Sequence, residues 1–258
     1  MSYKACAKVI LFLFVLFCLS AIGGVAQEDS ATIRYVEDFS RFKAGTFPEG
    51  WKCIWSSDSK GKEVYSVRSE QKSYLEARAV TSDILIAKEF KYDLKEYPFL
   101  TWQWRAVELP KGADERQKET GDSGAGIYVV FPGWFRPKNI KYVWSSSLPK
   151  GTVLESPYNS KTKIVILRNQ YTPLEKWISE EVNVYEDYKK LFGHEPDNVR
   201  AIAIMSDSND TGSKAEAHYR QICISKKRKQ PRAEEKQQNV AECPKNAAFK
   251  KKVTSESQ

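Results

Sequence analysis

The sequence predicts a mostly-β fold of antiparallel strands, a sandwich or a barrel, with one short helix near residues 183–192. Apolar side chains recur with a period of two through segments rich in β-branched and aromatic residues, as strands buried on one face require. Those segments are bounded by Gly, Pro, Asn, Asp and Ser, the residues that turn a chain. Strand and helix patterns do not strictly alternate, which argues against a parallel doubly wound sheet.

The strands run in order from Ile33 to Ser225. Leu75, Ala77 and Ala79 share one face of an alternating segment, and Ile84 to Ala87 is an apolar run suited to burial on both faces. Leu100, Trp102, Trp104 and Ala106 point one way, while Thr101, Gln103 and Arg105 point the other. Ile127 to Phe131, the alternating Ile140, Tyr142 and Trp144, the interior-like Ile164 to Leu167 and Ile202 to Ile204, and Ala215 to Ile224 complete the set. One segment keeps helical spacing: Val184, Tyr185, Tyr188, Leu191 and Phe192 line one side, Gly193 stops it and Pro196 forbids continuation.

The two ends differ in kind from the middle. Lys4 and Lys8, the apolar run from Val9, and the small residues of Gly24-Val25-Ala26 make residues 1–26 a secretory signal, too short to span a bilayer comfortably. Phe17 is too bulky to precede a lipidated Cys18. Residues 27–225 then form one domain, large enough to need no metal or disulfide staple, and 226–258 form a basic tail too polar to bury a core. The expected location is periplasmic or secreted.

The formal charge of +8 belongs to the ends. The signal contributes 2 and the tail, with ten Lys or Arg against four Glu, contributes 6, which leaves zero for residues 27–225. A neutral domain gives no reason to expect a nucleic-acid partner. The tail is either a solvated extension or a segment drawn to an anionic surface. Cys53, Cys223 and Cys243 remain after the signal, an odd number, and Cys223 to Cys243 is the simplest bridge that export allows.

Several segments in fixed order resemble a known family. They are Tyr97 to Arg105, Leu109 to Asp114, Thr120 to Ser123, Ile127 to Phe131, Tyr142-Val143-Trp144, Pro149 to Thr152, Asp187 to Gly193 and Ile204 to Gly212, leading into Ala215 to Tyr219. The set resembles the DUF3047 family of exported, mainly bacterial proteins, and the resemblance brings no established activity. More loosely, Glu37-Asp38-Phe39 and the closing Ala-x-Ala-x-Tyr strand are similar to the ends of carbohydrate-binding jelly-roll domains, which implies a jelly-roll-like (galactose-binding-like) sandwich. The family usually carries a basic residue where this chain has Gly126, so the resemblance implies that a ligand contact there is altered or lost.

Candidate chemistry is sparse. Trp102 and Trp104 form either a sugar-stacking array or a core pair, and their apolar flanks favour the core. Trp134, in a Pro-Gly turn, and Trp144, at a strand end, are candidate ligand-binding aromatics. Arg105 is expected on the outer surface of its sheet, within reach of Asp122, as a ligand contact or an ion pair. Asp207 and Asp210 lie in an oxygen-rich turn that either holds a hard cation such as calcium or bonds its own backbone. Asn209-Asp210-Thr211 also forms a glycosylation sequon. The sequence carries no nucleophile elbow, zinc-protease or phosphate-loop motif and implies no cofactor. The expected function is non-catalytic binding of a glycan or cell-envelope polymer; the competitors are a polysaccharide hydrolase or lyase, and a structural envelope protein held by its tail.

Overall fold

The structure is a computed structural model in which residues 32–133 and 136–228 are described. The signal segment, Trp134, Cys243 and nearly all of the basic tail therefore lie outside the described residues. The chain divides into two compact units, Met1–Ile33 and Arg34–Gln258, and the fold is that of the second.

The strands are β1 Ile33–Glu37, β2 Trp51–Ile54, β3 Tyr65–Ser69, β4 Ser73–Val80, β5 Leu85–Tyr92, β6 Phe99–Glu108, β7 Ala125–Phe131, β8 Lys138–Trp144, β9 Val153–Ser156, β10 Asn159–Arg168, β11 Ile178–Asn183, β12 Val199–Met205 and β13 Lys214–Ser225. They build a six-stranded sheet in the order β11-β6-β13-β4-β3, with β1 also pairing β13, and a seven-stranded sheet in the order β2-β5-β12-β7-β8-β10-β9. Apart from β1 with β13, the pairing is antiparallel except for β8 with β10, which run parallel with β9 returning along the edge.

The core forms where the two sheets face each other. Leu100, Trp102, Trp104 and Ala106 of β6 and Leu75, Ala77 and Ala79 of β4 meet Ile127, Val129, Ile140, Tyr142, Trp144, Ile202 and Ile204 from the larger sheet. The expected period of two on β4 and β6 is what places these side chains inside. On β13 the parity changes: Ala215, Ala217 and Tyr219 face inward, then Ile222 and Ile224 do. A bulge at Gln221, with φ +51°, inserts the extra residue that switches faces.

The expected helix is α2, Val184–Phe192. The Asn183 side chain accepts from the Glu186 amide, and Gly193 closes the helix at φ +77°. Its buried Tyr188 meets Phe131 edge-on at 4.6 Å, and its Asp187 accepts from the Tyr142 hydroxyl at 2.7 Å. A second helix, α1 at Asp58–Val64, goes beyond the sequence expectation. It is seven residues long and contains Gly61, so it shows almost no helical period. No helix among the described residues is long and apolar enough to cross a membrane.

Candidate functional site

The outer face of the seven-stranded sheet is not uniformly polar. Register aligns Lys52 of β2, Ala87 of β5, Ala203 of β12, Tyr128 of β7, Lys141 of β8 and Ile164 of β10 in one row across the strands. A neighbouring row carries Glu89, Ala201, Val130, Asn139 and Thr162. Small side chains on the central strands lower the floor, and the result is a groove of about 580 Å³. Its floor is largely aliphatic, and charged or amide side chains line its ends. Trp55, 91% exposed, stands on one rim beside β2, and Tyr158, 45% exposed, stands on the other in the β9–β10 turn. Trp55 holds φ +65°, a left-handed conformation that is rare and costly for a bulky residue.

One end of the groove is electrostatically dense. Lys141, only 5% exposed, donates to Ser123 Oγ at 2.9 Å, lies over the Tyr128 ring at 5.3 Å and faces Asp207 Oδ2 at 3.8 Å. Burial would push its ammonium down, but the Asp207 carboxylate, Tyr128 and Glu115 outweigh burial and hold it above the ordinary lysine range. Asp207 itself is pushed up to about 6 because burial outweighs the opposing pull of Lys141 and of the Ser123 amide, which donates to Oδ1 at 2.5 Å. Glu115 is fully buried; its Oε2 accepts from Ser145 Oγ at 2.7 Å, its Oε1 has no hydrogen-bond partner, and burial raises its pKa. The Tyr158 hydroxyl, with one proton to donate, faces both Asp210 and the Lys118 carbonyl, and burial together with Asp210 raises its pKa.

Gly126 explains how Lys141 fits. A Cβ at position 126 would lie 3.1 Å from Lys141 Cε and 3.2 Å from the Met205 carbonyl. The glycine brings no base of its own to this patch, and the space it leaves is filled by the stem of Lys141 from the adjacent strand.

The residues singled out from sequence are dispersed by the fold. Asp207 and Asp210 both border the groove, but they are drawn to separate partners, Lys141 with the Ser123 amide and Tyr158 with Asn209. Asp122 is fully buried, and both its oxygens are taken by the same turn, from the Asp210 and Thr211 amides at 3.2 and 2.8 Å and the Thr211 hydroxyl at 2.5 Å. It shapes the rim rather than meeting a ligand. Trp144 is corrected to the core: it shares its parity with Tyr142, packs edge-on against Trp104 at 5.8 Å and donates to the Asn169 carbonyl at 3.2 Å. Trp102 and Trp104 are core as expected.

Arg105 does face outward, but from the other sheet, and the expected approach to Asp122 does not occur. β6 and β7 follow each other in the chain yet lie in different sheets. Arg105 instead donates to Glu70 and to His218 Nδ1, both at 2.7 Å, between the rings of Tyr74 and Trp177. Glu76, Glu216 and His218 there are the one trio among the described residues with metal-ligand spacing. Because Nδ1 accepts from a guanidinium, the ring proton sits on Nε2, the atom turned toward the carboxylates. A cation at Nε2 would force that proton onto Nδ1 against Arg105, so the cluster is an ion-pair network and not a metal site.

The signal for the groove is present in the sequence in a different form. Ile84 to Ala87, Ile127 to Phe131 and Ile202 to Ala203 are apolar on both faces. That pattern suits full burial, yet Leu85, Ala87, Tyr128, Val130 and Ala203 floor a groove. Glu115 and Lys141 carry no local motif, since their meeting with Asp207 brings together two loops and one strand far apart in sequence.

Fold and site together define a two-sheet β-sandwich with a ligand-sized groove on the outer face of its larger sheet. The chain belongs to the DUF3047 family, described as a protein of unknown function, over residues 49–223. It is similar in fold to the family 11 carbohydrate-binding module of the cellulosomal cellulase Lic26A-Cel5E of Clostridium thermocellum, at 10% identity over 78% of this chain and 98% of that one, with a TM-score of 0.37. The K2 cleaved adhesin domain of Lys-gingipain superposes at 10% identity over 76% and 98%, TM-score 0.40. The endoglucanase 3 of Trichoderma harzianum, from family GH12, does so at 10% over 75% and 97%, TM-score 0.38. Superpositions this loose carry no functional weight. No curated protein matches the chain in sequence.

Proposed function

We propose that the protein is an exported, non-catalytic binding protein whose groove holds a glycan or cell-envelope polymer. The observation that carries this reading is the cross-section of the groove: an aliphatic floor, polar ends and two exposed aromatic rims at Trp55 and Tyr158. A sugar ring has the complementary anatomy, with apolar C–H faces and a hydroxyl edge. A volume of about 580 Å³ lies within the ~300–1,000 Å³ of small-ligand sites. The strained Trp55 backbone supports a binding role, because strain of this kind gathers at ligand sites. Export rests on the residues of the signal segment.

Affinity electrophoresis against a panel of soluble polysaccharides tests the proposal. Retardation by at least one glycan is expected, together with a roughly tenfold loss for Trp55→Ala, equivalent to about 1.4 kcal/mol, at unchanged melting temperature. Failure to bind any glycan, or binding indifferent to Trp55, overturns it. One observation favours a second reading, hydrolysis: Glu115 and Asp207 are two carboxyl groups of raised pKa in the same groove. Release of reducing ends from a bound polymer, abolished by Glu115→Gln, would establish that reading instead.

A further inference from the structure

We propose that the Lys141–Asp207 end of the groove reads hydroxyl groups of an uncharged sugar and turns away anionic polymers. The inference rests on the glycan-binding reading and narrows it to a ligand class. Its basis is the hydrogen-bonding capacity left at that end. The Lys141 ammonium has three N–H groups; one goes to Ser123 Oγ and one to the Tyr128 hydroxyl, which leaves one N–H for a ligand. Its distance of 3.8 Å from Asp207 Oδ2 makes an ion pair but exceeds hydrogen-bond length. Asp207 Oδ1 is occupied by the Ser123 amide, which leaves Oδ2 as an acceptor. Glu115 Oε1 has no donor either, but it is sealed from solvent behind the groove wall and does not meet the ligand.

A donor and an acceptor 3.8 Å apart suit a ligand group that does both jobs. A hydroxyl accepts from Lys141 Nζ and donates to a carboxylate oxygen. A uronate carboxylate or a phosphate only accepts at neutral pH, so it can satisfy Lys141 but not Asp207. The local charge points the same way. Glu115, Asp207 and Asp210 line this end against the single ammonium of Lys141, with Asp122 adjoining through the 210–211 turn. An anionic chain laid here meets an excess of carboxylates. Gly126 completes the arrangement by giving the Lys141 stem room to reach the floor.

The full chain should be titrated calorimetrically with matched oligosaccharides: a neutral glucan or mannan and a polyuronate of equal length, at low and high salt. Neutral oligomers are expected to bind about tenfold or more tightly than the polyuronate, with the gap narrowing as salt screens the carboxylates. Removal of the hydroxyl that reaches Lys141, scanned with deoxy analogues, should cost at least a further tenfold, since sites built for a hydroxyl reject analogues lacking it. Lys141→Met should weaken neutral binding, and Asp207→Asn should raise affinity for the polyuronate. Both variants touch a buried pair, so the ligand series on the unaltered protein decides the matter if they do not fold. Equal or tighter binding of the polyuronate overturns this inference alone when Trp55→Ala still weakens binding about tenfold. Absence of binding to every oligomer overturns the glycan reading with it.

Discussion

Trp102 and Trp144 offer a test of the core that depends on one atom in each ring. Both indoles are buried against Trp104, at centroid distances of 5.3 and 5.8 Å. Trp144 Nε1 donates to the Asn169 carbonyl at 3.2 Å, whereas Trp102 Nε1 has no hydrogen-bond partner. Substitution by phenylalanine removes similar volume at each site, so the cavity costs largely cancel in the comparison. Trp144→Phe also loses a hydrogen bond worth about 1 kcal/mol net. The Asn169 carbonyl keeps the Thr172 amide at 2.9 Å and is not orphaned. Trp102→Phe instead removes a buried donor whose desolvation costs about 1–3 kcal/mol. The two variants should therefore differ by about 2 kcal/mol or more, with Trp144→Phe the less stable. In a domain of this size that corresponds to about 4–8 °C in melting temperature. Urea unfolding of both variants, followed by circular dichroism, measures the difference. A Trp102→Phe variant as destabilised as Trp144→Phe would refute the hydrogen-bond argument, and loss of glycan binding in Trp144→Phe would refute its removal from the ligand site.

The remaining predictions address the two outer faces. Gly126→Ala should cost about 1 kcal/mol through overpacking and weaken groove binding severalfold by displacing Lys141, as thermal melts and affinity electrophoresis would record. Arg105→Gln should lower stability by about 1–3 kcal/mol yet leave groove binding untouched, because its partners Glu70 and His218 lie on the opposite sheet. Burial, then Arg105, holds the His218 pKa below 6.5, so its stabilising contribution is whole above the unfolded value and is lost as pH falls through the folded one. Chemical denaturation at pH 7.5 and 5 should accordingly show a smaller acid-induced loss in His218→Asn than in the wild type.

Periodicity made the interior of each strand legible and left the partners of each strand hidden. The alternation from Leu100 to Ala106 assigns the faces of β6 correctly, because side chains of a pleated strand must alternate whatever sheet it joins. The placement of Arg105 beside Asp122 fails at the next level. Consecutive strands most often neighbour each other, but β6 pairs β13 and β11 while β7 pairs β12 and β8. The bulge at Gln221 was invisible for a related reason: a bulge shows only as a break in parity, and β13 is apolar on both sides of the break.

The same limit explains why the groove was legible as composition and not as a site. Two outer faces of one sandwich differ in how completely their polar groups are used. On the smaller sheet Arg68 meets Glu76, Arg78 meets Glu216, Arg105 meets Glu70 and His218, and Arg220 meets Gln103. These cross-strand pairs consume their charges, and the face becomes a self-contained network. On the larger sheet the equivalent positions of β5, β12 and β7 are Leu85, Ala87, Ala201, Ala203, Tyr128 and Val130, which have no such partners to find. Polar capacity is left over where Lys141 and Asp207 reach the floor and where Glu115 Oε1 lies without a donor. An apolar surface with unspent hydrogen-bonding groups at one end is stable in water only at a cost that a bound ligand can offset, and so the asymmetry between the two faces, rather than any single motif, marks the candidate site.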